Sequence, residues 1–149
     1  MIVFSTESIF NLDVDAITNP VNCDGIQGGG LALDFYNRFK KNNVLYEQSC
    51  ADGSLAPGKV LVTETGMITP KFVINFPTKN RIWNPSRIEY IQIGLVDFVD
   101  SVLNFGINSV AIPKLGCGLG GLDWNDVKPI IVEYCEKHLS DVEITICEV

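Results

Sequence analysis

The sequence predicts an α/β fold of three layers, with helices on both faces of a largely parallel sheet. Three observations carry this. Short apolar runs alternate with segments of helical spacing along the chain. Several runs, among them Val73-Ile74 and Val110-Ala111-Ile112, are apolar throughout, so both of their faces must be covered, as in a parallel sheet. Two glycine-rich loops, Gly25 to Gly30 and Gly116 to Gly121, leave strands. Ligands in such folds bind outside the carboxyl ends of the strands.

Met1 to Phe4 reads as the first strand, followed by a polar connection from Ser5 to Asp15. Ala16 to Asn19 is a short strand ended by Pro20, whose nitrogen cannot donate to a ladder. After the triple glycine, Leu31, Phe35 and Phe39 lie four apart and mark one face of a helix. Asn43 to Ala51 forms a second short helix. Pro57-Gly58 turns the chain into a strand from Lys59 to Glu64, and Gly66 to Pro70 turns it into another from Lys71 to Phe76. Asn84 and Pro85 suit the N-cap and first position of a helix, continued by Ile88, Ile91, Leu95, Phe98 and Val102 and stopped near Gly106. Ser109 to Pro113 is a core strand. Asp123 caps a last helix with Val127, Ile130, Ile131, Tyr134 and Cys135 inward, and Val142 to Cys147 closes as a strand. With no repeat or linker, residues 1–149 read as one domain.

The 149 residues are 46% apolar, enough for a full core, and the net charge of −7 works against non-specific grip on duplex DNA. The cysteines, Cys23, Cys50, Cys117, Cys135 and Cys147, are odd in number and form no C-x-x-C pair, and His138 is the single histidine. They read as free thiols in a reducing compartment, which speaks against a metal hydrolase. No apolar run is long enough for a bilayer, and the N-terminus lacks a basic leader. A cytoplasmic protein without metal or cofactor is expected.

The chemistry concentrates in three loops. Gly28-Gly29-Gly30 lets backbone N–H groups face an anion, and the helix behind adds its positive end. Taken alone, the triplet is equally a flexible turn. Gly116-Cys117-Gly118-Leu119-Gly120-Gly121 has four glycines in six residues between a core strand and a capped helix. Two such loops suit a diphosphate. Lys79 stands at the exit of the strand through Asn75-Phe76-Pro77-Thr78, with Lys71, Arg81 and Arg87 near in sequence. Most lysines are surface charges. At a strand exit, however, partial burial and neighbouring positive charge are what free an amine as a nucleophile. Asn22 either caps a turn or orients a sugar hydroxyl. Cys117 reads as a small packing residue, and His138, near the end of the last helix, is given no catalytic role.

These residues resemble a family. Leu12 to Asn22 resembles the opening signature of macrodomains, the modules that bind ADP-ribose. Gly28-Gly29-Gly30-Leu31-Ala32 and Leu115 to Trp124 resemble their two phosphate loops. Asn75-Phe76-Pro77-Thr78-Lys79, with Trp83, Pro85, Ser86, Arg87, Glu89 and Tyr90 downstream, resembles the DarG antitoxin branch, related to the human terminal ADP-ribose protein glycohydrolase.

The resemblance implies a three-layer α/β/α macrodomain with a mixed, largely parallel central sheet that acts as a metal-independent ADP-ribosyl glycohydrolase. Lys79 would be the catalytic lysine, with Asn22 assisting beside the distal ribose. ADP-ribose would contact Ser8 and Ile9, the loop of Gly28, Gly29, Gly30 and Leu31, Thr78, and the loop of Gly116, Cys117, Gly118, Leu119, Gly120 and Gly121. In the DarG branch the substrate is ADP-ribosyl-thymidine in single-stranded DNA. The human enzyme also acts on modified carboxylates, with an aspartate in its second loop where this chain has Gly120. That departure favours the DNA substrate. Many macrodomains hold adenine with an aspartate where this chain has Ser8, beside Glu7, so adenine is expected on backbone groups near Ser8 and Ile9. The DarG antitoxin continues into a second domain, so a DarT-type toxin partner and a solitary role both stay open. A monomer is expected. The rivals are removal of ADP-ribose from protein glutamate or aspartate, and a reader that binds ADP-ribose without cleaving it.

Overall fold

The computed structural model describes residues 1–149. The elements run β1 (Ile2–Ser5), a 3-10 turn (Ile9–Asn11), β2 (Ala16–Val21), α1 (Gly30–Arg38), α2 (Lys40–Ala51), β3 (Leu61–Glu64), β4 (Phe72–Pro77), α3 (Ile88–Asn104), β5 (Ser109–Ile112), α4 (Trp124–His138) and β6 (Glu143–Cys147). The six strands lie in the order β1-β6-β5-β2-β4-β3. All neighbours are parallel except β3 and β4.

Side-chain alternation along the central strands builds the three layers. Ala16, Ile74, Val110, Ile112 and Ile146 face a core shared with α3 and α4. Their neighbours Ile17, Val73, Ala111 and Cys147 face a second core with Phe35 and Phe39 at the end of α1. The expected three-layer α/β/α fold is therefore present, and its sheet is mixed and mostly parallel. No helix is long and apolar enough to cross a membrane.

Several expected boundaries move, each for a local reason. β2 does not stop at Pro20; it continues to Val21, with Pro20 opposite Phe76. Val21 O and Cys23 N bond toward the β4 side, so by alternation Pro20 N faces β5. β2 pairs with β5 only through Ala16 and Ile17, so no ladder donor is missing there. Asn84 and Pro85 do not start α3; the N-cap is Arg87, extended at φ −126° and ψ 139°. Ser86 N donates to Gly120 O and Arg87 N to Thr78 O, which holds this stretch out of the helix. β3 begins at Leu61, because Val60 N donates to Asp97 on α3. α2 starts at Lys40, three residues earlier than expected, and β4 runs through Pro77.

Candidate active site

The parting of β2 from β5 beyond Ile17 makes the site. β2 keeps its pairing with β4 up to Val21 opposite Pro77, while β5 follows it only through Val110 and Ala111. A cleft therefore opens between the carboxyl ends of β2 and β5, where strand order reverses and ligands are received in such sheets. A cavity of about 850 Å³ fills it.

The first wall follows β2. Asn22 Oδ1 accepts from Asp24 N at 2.9 Å, and its Nδ2 donates to Ile26 O at 2.8 Å. Tyr46 Oη lies 2.7 Å from Asn22 O and 3.0 Å from its Oδ1. Asn22 thus does cap a turn, and the same atoms fix the path into Gly28–Gly30. Beneath the loop, Gln27 accepts from Asn19 Nδ2 and donates to Asn43 Oδ1. α1 then begins with Gly29 as an extended N-cap that offers no side-chain bond. The first-turn N–H groups, unpaired within the helix, are left for a guest.

The second wall follows β5. Gly116, at φ +75°, takes the left-handed backbone that glycine tolerates, and its carbonyl accepts from Leu122 N at 2.9 Å. Leu119, 79% exposed, reaches across to the first loop: a Cβ placed on Gly29 would lie 3.0 Å from Leu119 Cδ1.

The third wall follows β4. Thr78 N donates to Val21 O, and Cys23 N to Asn80 O. Lys79 borders the cavity, and its Nζ donates to Ile82 O at 3.0 Å. Ile82 is held in turn: its N donates to Asp24 Oδ2, and Arg81 Nη1 to Asp24 Oδ1, both at 2.8 Å. The Ile82 backbone N–H and then the Arg81 guanidinium hold the Asp24 carboxyl below the usual carboxylate range.

Of the residues expected at the site, Ser8, Ile9, Asn22, Gly28, Gly29, Gly30, Leu31, Thr78, Lys79, Gly116, Gly118, Leu119 and Gly120 all line this one cavity. Cys117 and Gly121 do not. Cys117 packs against the larger core, with Sγ 3.4 Å from Leu115 O, and Gly121 turns outward at φ +84°. Ser8 caps the 3-10 turn, its Oγ accepting from Phe10 N. The cations near Lys79 in sequence each have another partner. Lys71 stands at the opposite end of β4, over the Phe72 ring. Arg81 pairs with Asp24, and Arg87 lies 3.6 Å from Glu89.

Other cavity residues were not anticipated. Lys114 follows Pro113 at the exit of β5, the same signal that picked out Lys79. Phe10 lines the far end, edge-on to Phe35 with centroids 5.0 Å apart and with the Arg38 guanidinium 4.1 Å from its ring. Ser86, part of the stretch that carries the family resemblance but given no site role there, also reaches the cavity, buried, with Oγ 3.3 Å from Thr78 Oγ1. Burial raises every thiol, to about 12 for Cys23 and Cys135 and about 11 for Cys147, with Cys50 and Cys117 raised for the same cause. Thiolate chemistry is therefore suppressed at neutral pH.

The Macro domain family model matches residues 18–131. A DNA ADP-ribosyl glycohydrolase of Mycobacterium tuberculosis is 40% identical over 147 residues, covering 98% of this chain and 42% of that protein. The chain thus spans about two fifths of the length of such curated relatives. Among solved structures, the macrodomain of Mycobacterium tuberculosis DarG is 39% identical with a TM-score of 0.97, covering 100% of this chain and 98% of that one. Thermosipho africanus DarTG in complex with ADP-ribose is 30% identical with a TM-score of 0.89, covering 97% of this chain and 41% of that one.

Proposed function

The chain belongs to the macrodomain family, and on that footing we propose that it removes ADP-ribose from thymidine in single-stranded DNA. One observation carries this reading: Lys79 borders the same cavity as both glycine loops. An amine next to an anion cradle suits chemistry on a diphosphate-bearing ligand better than binding alone. The names of the relatives, and ADP-ribose in one of their structures, support it.

In this reading the glycine loops hold the diphosphate, adenine lies toward Ser8, Ile9 and Phe10, and the distal ribose lies toward Asn22, Thr78 and Lys79. Hydrolysis breaks the bond from the anomeric carbon to the base. Lys79 Nζ passes one ammonium proton to the departing base and, as the free amine, attacks that carbon, so that the base leaves with the bonding pair in its neutral form. Water then displaces the amine, leaving a hydroxyl on the carbon. Asn22 assists with the one amide N–H that Ile26 does not use. A DarT-type toxin, as the source of the modification, is the partner this reading implies.

Removal from protein carboxylates by a lysine–acid pair is disfavoured, because Gly120 stands against Ser86 with no room for a side chain. The test is release of ADP-ribose from a thymidine-modified oligonucleotide and from a carboxylate-modified protein, side by side. Lys79→Ala and Lys79→Arg should each lose on the order of 10³-fold in turnover, while calorimetry still registers ADP-ribose. Arginine keeps the charge but is not a nucleophile. Full activity of Lys79→Ala, with loss in Lys114→Ala, would move the role to Lys114. Tight ADP-ribose binding with no release from either acceptor would leave a reader.

A further inference from the structure

The loop between β4 and α3 is pinned at its base yet carries its largest side chain in water. Arg87 N donates to Thr78 O at 3.3 Å and Ser86 N to Gly120 O at 3.0 Å, closing the loop on itself and on the second glycine loop. Asp24 holds Arg81 and Ile82 from the opposite side. Ile82 and Ser86 line the cavity. Between them Trp83 stands 76% exposed. An indole this exposed packs little of its surface on the protein and leaves a flat aromatic face open to a partner at the cavity's lip.

Its surroundings indicate what it meets. Residues 77–90 carry Lys79, Arg81 and Arg87, which face two carboxylates, Glu89 in the same stretch and Asp24 against Arg81, in a chain whose net charge is −7. A guanidinium has five donors, and the carboxylates Asp24 and Glu89 leave part of each set free. Past Trp83 a second depression of about 360 Å³ is lined by Asn84, Pro85, Arg87 and Tyr90, and the Arg87 guanidinium lies 5.6 Å from the Tyr90 ring centre. Flat aromatic surface beside local positive charge is how proteins grip single strands irrespective of sequence. An acidic peptide would match the charge but gives no use for a bare indole face.

We propose that this lip is a single-strand platform. Trp83 stacks on a base next to the modified nucleotide, and Arg81 and Arg87 meet the flanking phosphates, so that the strand leaves the cavity over Ile82 toward Tyr90. The inference rests on the DNA reading above and adds where the polymer runs.

The test uses the whole chain and a labelled single-stranded oligothymidylate, followed by fluorescence anisotropy. Trp83→Ala should weaken binding on the order of 5- to 150-fold, the range for one stacked base. Two phosphate contacts predict a log–log salt slope of about −1.4. ADP-ribose affinity serves as the fold control. In the release assay, Trp83→Ala should raise KM for a modified oligonucleotide more than for the modified nucleoside alone. Equal oligothymidylate binding by both proteins would overturn the platform even if DNA hydrolysis stands. Failure of the wild type to release ADP-ribose from DNA, with strand binding still dependent on Trp83, would sink the substrate reading and keep the platform. A defect in Trp83→Ala confined to modified protein would make the lip a peptide surface and overturn the proposal.

Discussion

Ser86 fills the space that a side chain at position 120 would need. A Cβ on Gly120 would collide with Ser86 Oγ and would lie 2.6 Å from the carbonyl of Gly116. The second loop is thus glycine there for packing, at a point where the backbone itself needs no left-handed turn. Gly120→Ala should cost about 1–3 kcal/mol of stability and weaken ADP-ribose binding. Adding Ser86→Gly should recover part of the loss and not all of it, because the Gly116 carbonyl stays in place. Denaturant midpoints of the single and double variants measure this; an undiminished Gly120→Ala protein would refute the packing account.

Asp24 ties the Lys79 loop to the first loop, and its carboxyl is held low in the folded state by the Ile82 N–H and Arg81. A group depressed on folding contributes stability above its unfolded value, about pH 3.9, and loses it as pH falls through the lower folded value. The stability difference between wild type and Asp24→Asn should therefore be constant from about pH 5 to 7 and shrink below about pH 4. Urea titrations of both proteins across that range check the sign. A difference that grew on acidification would contradict it.

Asn75 is the centre of a buried amide network. It exchanges two hydrogen bonds with Asn42, at 2.7 and 3.0 Å, and accepts from Asn19 at 3.2 Å. Asn19 in turn reaches Gln27 under the first glycine loop. Asn75→Leu would strand Asn42 Nδ2 in the interior, at about 1–3 kcal/mol for such a group. ADP-ribose affinity should fall with it, since the floor of the loop is loosened. Chemical denaturation and calorimetry on one variant test both; lost stability with unchanged affinity would confine the network to the fold.

Gly94 lets α3 lie against Phe76. A Cβ there would meet Phe76 Cζ at 2.5 Å, and the ring cannot swing, being fully buried with the Phe98 ring centre 6.0 Å away. Helix propensity alone would make Gly94→Ala stabilising by about 0.8–1 kcal/mol. Overpacking of a closed core costs about 1–3 kcal/mol, so a lower melting temperature is expected. A higher one would show that propensity wins.

Much of the fold was legible because its signals are local. Leu31, Phe35 and Phe39 define one face at a spacing of four, Ile88, Ile91, Leu95, Phe98 and Val102 define another, and the structure buries both sets apart from Leu31 and Ile88, which are partly buried. Asp123 caps α4 as expected, its carboxylate accepting from Asn125 N. The misplaced start of α3 shows the limit. Asn84-Pro85 is a sound local start signal, but Ser86 and Arg87 are bonded to Gly120 and Thr78, and those partners prevail.

What the sequence by itself determined is the set of elements, the two glycine loops and a lysine at a strand exit, since periodicity, glycine and proline act over a few residues. Tertiary structure alone decided that these loops share one cavity, because β2 and β5 part after two paired residues. It also decided that Cys117 turns inward, that Lys114 joins the cavity and that Ser86 excludes a side chain at 120. Each of these depends on groups brought together by strand order and helix packing, and no spacing along the chain encodes that distance.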